Sequence, residues 1–112
     1  MKKQPAEQRW QRFELQAEVI QALAHPIRLA IVDLLRAGEV CVCDIASAVG
    51  AERSNVSRHL AVMSRGGIVR TRREGLKVYY SLRTPCILDF MTCATRALEH
   101  DLEERSRALA SA

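Results

Sequence analysis

Asp44-Ile45-Ala46-Ser47-Ala48-Val49-Gly50, followed after Ala51-Glu52 by Arg53-Ser54-Asn55-Val56-Ser57-Arg58-His59-Leu60-Ala61-Val62-Met63-Ser64-Arg65-Gly66-Gly67, decides the fold. Asp44 is a suitable cap for a short helix over Ile45–Val49, and Gly50 ends it. The next helix runs from about Arg53 to Arg65, with apolar Val56, Leu60 and Met63 at helical spacing. Its other face carries Ser54, Asn55, Ser57, Arg58 and Arg65, and Gly66-Gly67 stops it. Two short helices joined by a tight glycine-containing turn form a helix-turn-helix, here over about 43–66. In that arrangement the second helix enters the major groove and presents its N-terminal residues to base edges.

Downstream, Ile68–Arg73 and Lys77–Leu82 alternate as two strands around a Glu74-Gly75-Leu76 turn. This hairpin, about 67–83, is the expected wing. Arg70, Arg72, Arg73 and Lys77 are placed on it to meet phosphates or an adjacent minor groove. Charge supports a polyanionic partner. The whole chain carries +4, but residues 52–83 hold eight Lys/Arg against Glu52 and Glu74, a balance of +6, while the rest is slightly acidic.

Upstream, Trp10, Phe13, Ala17, Ile20 and Ala24 form one stripe of a helix over about 6–24, with Leu15, Val19 and Leu23 as a second. Two stripes imply burial on more than one side, including against a partner subunit. His25-Pro26 ends that helix, and Pro26 opens the next, whose apolar face is Ile27, Ala30, Ile31, Leu34 and Leu35, with Gly38 as its stop. After Thr84-Pro85 a long helix reaches about Leu109, with Leu88, Met91, Ala94, Leu98 and Leu102 along one face and Phe90, Cys93 and Ala97 beside it.

The expected architecture is therefore mainly α with a small β-hairpin, a single winged helix-turn-helix domain over residues 1–112. At 112 residues the core is small, and dimerisation would bury more apolar surface. No apolar run approaches the ~20 residues of a membrane span. Gln4-Pro5-Ala6-Glu7 follows Met1-Lys2-Lys3 where a signal peptide would be apolar, so a cytoplasmic protein is expected. Its four cysteines would then be reduced thiols. Cys-x-Cys without a βαβ unit does not suit a thiol oxidoreductase, and the chain shows neither a Ser/His/Asp set nor a glycine-rich phosphate loop. The expectation is a DNA-binding protein and not an enzyme, with no organic cofactor.

Cys41 and Cys43 are the residues with further chemistry. In an extended stretch they project to one side, whereas on a regular helix they diverge by ~200°. The expectation is an extended Glu39–Cys43 with the helix beginning after it. Thiolates are soft ligands suited to a thiophilic centre. Cys86 and Cys93 lie two helical turns apart, ~10.5 Å of rise, too far to share one ion within a chain. At most one joins the pair, Cys86 being favoured by its place at a helix start, while Cys93 reads as a buried small hydrophobe.

Glu39-Val40-Cys41-Val42-Cys43-Asp44-Ile45-Ala46, Ser54-Asn55-Val56-Ser57-Arg58-His59-Leu60, Gly67-Ile68-Val69, and Arg73-Glu74-Gly75 through Tyr79-Tyr80 together resemble the ArsR/SmtB family of metal- and metalloid-responsive repressors. The resemblance spans roughly residues 15–105. It implies a winged-helix homodimer joined through the first and last helices, about 6–24 and 84–109. It also implies binding to double-stranded operator DNA in the apo state and release on inducer binding. Carried over, Ser54, Asn55, Ser57, Arg58 and His59 lie in the recognition helix, and Arg70, Arg72, Arg73 and Lys77 in the wing. Cys-Val-Cys-Asp is similar to the arsenic-sensing branch, implying As(III) or Sb(III) as inducer on Cys41, Cys43 and a third ligand, Cys86 or Cys93. That branch often has a third cysteine where this chain has Ala46. The family's cadmium pattern needs cysteines that residues 1–40 lack, and only His100 and Glu103 fit half of its zinc pattern. A redox- or persulfide-sensing repressor using the same cysteines, a Cd/Zn-type sensor and a constitutive nucleoid-type binder are the alternatives.

Overall fold

A computed structural model describes residues 6–111. The elements are α1 (Ala6–Gln21), α2 (Pro26–Leu34) with a 3-10 turn at Leu35–Ala37, β1 (Val40–Cys41), α3 (Val42–Val49), α4 (Arg53–Arg65), β2 (Val69–Glu74), β3 (Lys77–Leu82) and α5 (Ile87–Ser111). The architecture is mostly helical with a small antiparallel sheet of order β1-β3-β2, a winged helix-turn-helix as expected.

The core sits under the helix-turn-helix. Ile31, Val32 and Leu35, Val42, Ile45 and Ala46, Val56, Leu60 and Met63, and Ile68 and Val69 are all buried in one cluster. Each fully buried aliphatic side chain contributes about 1.5–3 kcal/mol, so the reading helix α4 is seated by Val56, Leu60 and Met63 and leaves its polar face free. Gly50 closes α3 in the left-handed conformation, φ 69°, and returns its N–H to Ala46 O at 3.1 Å.

α1 ends at Gln21, short of the expected residue 24, α5 begins at Ile87, and Glu74 belongs to β2, paired with Lys77, where the turn was expected to include it; the start of α3 differs in a way that matters more. α3 begins at Val42, not after Cys43, because Val42 is buried and continues the stripe of Ile45 and Ala46 at i+3 and i+4. Cys41 is consequently the N-cap residue in extended conformation, and Asp44 lies inside the first turn, where its charge suits the helix dipole. The Glu39–Cys43 segment is extended only through Cys41, and its strand pairs with the hairpin, Val40 opposite Tyr80 and Cys41 opposite Tyr79.

α1 and α5 contain no buried residue in the single chain; of the two stripes expected on the first helix, Leu23, just beyond α1, is buried, and the rest is left uncovered. Trp10, Phe13, Ile20, Phe90, Leu98 and Leu102 are each more than half exposed. The radius of gyration is 18.0 Å; a compact domain of this length would have about 13 Å. The helices extend away from the core and carry apolar surface with them.

The contact between α2 and α4 is polar and specific. His25 caps α2, its Nδ1 accepting from the Ile27 N–H at 3.1 Å. Its ring lies 4.3 Å from that of His59, and Arg28 Nε donates to His59 Nδ1 at 3.2 Å. Burial and the charges of His25, Arg28 and Arg58 lower the His59 pKa. Its folded-state pKa lies below the unfolded value of about 6.5, so its contribution to stability is complete at neutral pH and is lost as pH falls below that value. Denaturant midpoints, measured at fixed protein concentration, should therefore fall between pH 7.5 and 5.5, and His59→Gln should flatten that fall. An equal fall in the variant would remove His59 as its cause.

Gly66 fixes where α1 ends against α4. A Cβ there would lie 2.5 Å from the Ala22 Cβ, and Ala22 is buried. Gly66→Ala should destabilise the fold by about 1–3 kcal/mol through overpacking. Adding Ala22→Gly should recover part of that loss in the same unfolding measurement.

Candidate nucleic-acid interface and thiol cavity

Ser54, Ser57 and Arg58 are exposed on the first turns of α4, and Asn55 is half-buried beside them. Short hydrogen-bonding groups and one long cation on an unobstructed helix face suit base edges. His59 is the exception among the five expected contacts. Its ring turns towards His25 and Arg28 at the α2–α4 junction, where it positions the helix.

Antiparallel pairing sets the wing's faces. Arg70 pairs with Ser81, Arg72 with Tyr79 and Arg73 with Val78. Side chains alternate along a strand, so Arg70 and Arg72 share one face and Arg73 takes the other. Arg70, Arg73 and Lys77 are exposed. Arg72, expected on a phosphate, is engaged within the chain. Its Nε and Nη2 donate to the two Glu39 carboxylate oxygens at 2.9 and 2.7 Å, and its Nη1 donates to Glu74 at 2.9 Å. The guanidinium lies 4.7 Å from the centre of the Tyr79 ring. These hydrogen bonds hold the Glu39 carboxyl below the usual carboxylate range, with desolvation opposing them, and the Arg72 pKa is raised in turn. The sequence hid this clamp because its partners lie 33 residues apart.

Cys41 and Cys43 both line one cavity of about 290 Å³, with Asp44, Arg53, Lys77 and Tyr79 around them. Cys41 is half-buried and Cys43 exposed. The helical divergence that would separate them does not apply, because Cys41 stands outside α3 on extended backbone, φ −70° and ψ 144°. Arg53 opens the reading helix, and Lys77 and Tyr79 belong to the wing. One cavity thus touches both the second helix of the helix-turn-helix and the wing.

Cys86 precedes α5 and does not line this cavity. Cys93 is exposed, correcting the expectation of a buried hydrophobe: α5 leaves that side uncovered. Among the described residues no three His, Cys, Asp or Glu side chains converge as a metal site. His100 pairs with Glu104 at 3.1 Å and Glu103 with Arg107 at 3.6 Å, ordinary exposed i,i+4 pairs. A second, apolar groove of about 350 Å³ lies between α1, α2 and α5, lined by Ile20, Leu29, Phe90, Met91 and Leu98 among others. Among the described residues no helix is long and apolar enough to cross a membrane.

The profile of the bacterial regulatory proteins of the arsR family matches residues 25–71, which hold α2, α3, α4 and the start of the wing. The HTH-type transcriptional regulator Rv0081 of Mycobacterium tuberculosis is 37% identical over 98 residues, 87% of this chain and 86% of that protein. The arsenical resistance operon repressor of Escherichia coli is 39% identical over 71 residues, 62% of this chain and 61% of its own. Among solved structures, a homodimeric winged helix-turn-helix DNA-binding domain from Mycobacterium bovis superposes with a TM-score of 0.77 at 32% identity, covering 93% of this chain and 95% of that one. An exposed reading helix, a basic wing and these relatives agree: the chain belongs to the arsR family of bacterial transcriptional regulators.

Proposed function

We propose that this chain is a homodimeric repressor whose operator binding is relieved when As(III) or Sb(III) bonds to Cys41 and Cys43. The observation that carries the reading is the placement of both thiols on one cavity shared with Arg53 of the reading helix and with Lys77 and Tyr79 of the wing. Trivalent arsenic as As(OH)₃ would form two As–S bonds there, its two departing hydroxyls leaving as water with the thiol protons, and would keep one hydroxyl. A third sulfur from Cys86 or Cys93 would require a second copy of the chain, since neither lines the cavity.

The bare apolar faces of α1 and α5 support the dimer, as does the homodimeric relative. Two reading helices would then meet successive major grooves on one side of the duplex. Ser54, Asn55, Ser57 and Arg58 would read bases, and Arg70, Arg73 and Lys77 would meet phosphates. The soft thiol donors fit a thiophilic inducer better than a hard cation.

The reading is testable on a duplex selected from a random-sequence pool, followed by fluorescence anisotropy. Arsenite should weaken binding by 5–150-fold, the usual range of allosteric coupling, and Cys41→Ser/Cys43→Ser should bind the duplex but lose the response. A double variant still released by arsenite overturns the proposal. Release of the wild type by peroxide alone, with a Cys41–Cys43 disulfide in the mass spectrum, would instead favour the redox reading.

Contact types separate by salt. Arg58→Ala should cost about 1–3 kcal/mol and relax sequence preference, whereas Arg70→Ala should weaken all sequences alike and reduce the salt slope by about 1. The reverse pattern would mean that α4 does not occupy the groove.

A further inference from the structure

We propose that Arg72 is a positioning residue that clamps the thiol segment to the wing, so that changes at Cys41 and Cys43 reach the wing through it, and that it is not a phosphate contact. The clamp stands on the geometry alone; its regulatory role rests on the thiol-triggered reading above.

The register supplies the first argument. Cys41 is opposite Tyr79, and Tyr79 is opposite Arg72. Directly paired residues project from the same face. A thiol, a phenol and a guanidinium therefore form one row across the three strands. Tyr79 lines the thiol cavity on one side and receives the Arg72 guanidinium over its ring on the other.

Hydrogen bonding supplies the second. β1 is two residues long and has only two paired positions. So short a strand needs another tie to stay in register. The Arg72 fork grips both oxygens of Glu39, the residue immediately before β1. A bidentate pair fixes orientation as well as distance. Exposed ion pairs add little to folding stability, so the value of this one is geometric.

Charge supplies the third. Glu39 and Glu74 together place two carboxylates on one guanidinium. The cluster is net negative, and a phosphate approaching Arg72 would meet both carboxylates. Arg70 and Arg73 are exposed on the same strand and remain the wing's candidates for phosphate.

Three measurements on the full-length protein decide the matter. First, amide hydrogen exchange of the ligand-free chain is followed in Arg72→Gln, Glu39→Gln and the double variant. Each single change should speed exchange across β1 and β3, and the double should add nothing further; additive effects would show that the two residues do not act as one clamp. Second, the charge-balanced double variant should keep the wild-type salt slope on the duplex, while Arg70→Gln lowers it by about one. A matching drop in the double variant would make Arg72 a phosphate contact and overturn the proposal. Third, arsenite should weaken duplex binding by the wild type at least fivefold and by Arg72→Gln less than twofold, although arsenite still protects Cys41 and Cys43 from a thiol reagent. Full weakening in Arg72→Gln overturns the regulatory role. A wild type that does not respond to arsenite overturns that role together with the metalloid reading, while the first two measurements still decide the clamp.

Discussion

Burial of Val42 sets the geometry on which the thiol site depends. An apolar side chain at that position gains most by joining the stripe of Ile45 and Ala46, and it can do so only if the backbone is already helical there. The helix consequently starts one residue after Cys41. Cys41 is left on the last extended residue, free to pair with Tyr79, and Cys43 is carried into the first helical turn. A helix starting later would leave Val42 in an extended segment and take its methyls out of the core. The hydrophobic effect thus places one thiol on a sheet and the other on a helix, both on a single cavity.

That junction explains why a change at two sulfurs would be felt by the whole DNA-facing surface. α3 packs on α4 through the buried core, and β1 packs on the wing through main-chain pairing. Close-packed interiors transmit small displacements instead of absorbing them. A ligand that draws Cys41 and Cys43 together must move the start of α3, the end of β1, or both. Either movement acts on a neighbour that carries basic side chains. The allosteric path proposed here is two direct contacts long.

Legibility followed the range of the interactions. The helix pair, the hairpin and the role of Pro26 depend on residues close in sequence, and their periodicity and turn chemistry were readable. The exposed Ser54, Ser57 and Arg58 followed from the same periodicity, because core positions 56, 60 and 63 leave them outward. Long-range features were not readable. Two residues of strand carry no pattern of their own, so the pairing of Val40 and Cys41 with β3 had no local signal. Glu39 was one acid among thirteen until the sheet brought it to Arg72. The close approach of the His25 and His59 rings likewise depends on how α2 crosses α4. Once the hairpin register was known, though, Arg72 opposite Tyr79 followed by counting from the turn.

The extended helices complete the argument at the level of assembly. A chain of this size has little apolar area to spare, yet α1 and α5 keep Trp10, Phe13, Phe90 and Leu98 more than half in water. Exposed apolar surface on this scale, arranged along two helices, is what the proposed dimer would cover. In the proposed dimer these helices would form the base from which two reading heads project. Their spacing would then be set by side chains far from the DNA, while the thiol cavity lies where α3, α4 and the wing meet. A rigid base would make a small movement of α3 and the wing count. With the two cores held at fixed separation, a shift of each head would change its fit to the groove and could not be relieved by the dimer as a whole moving over.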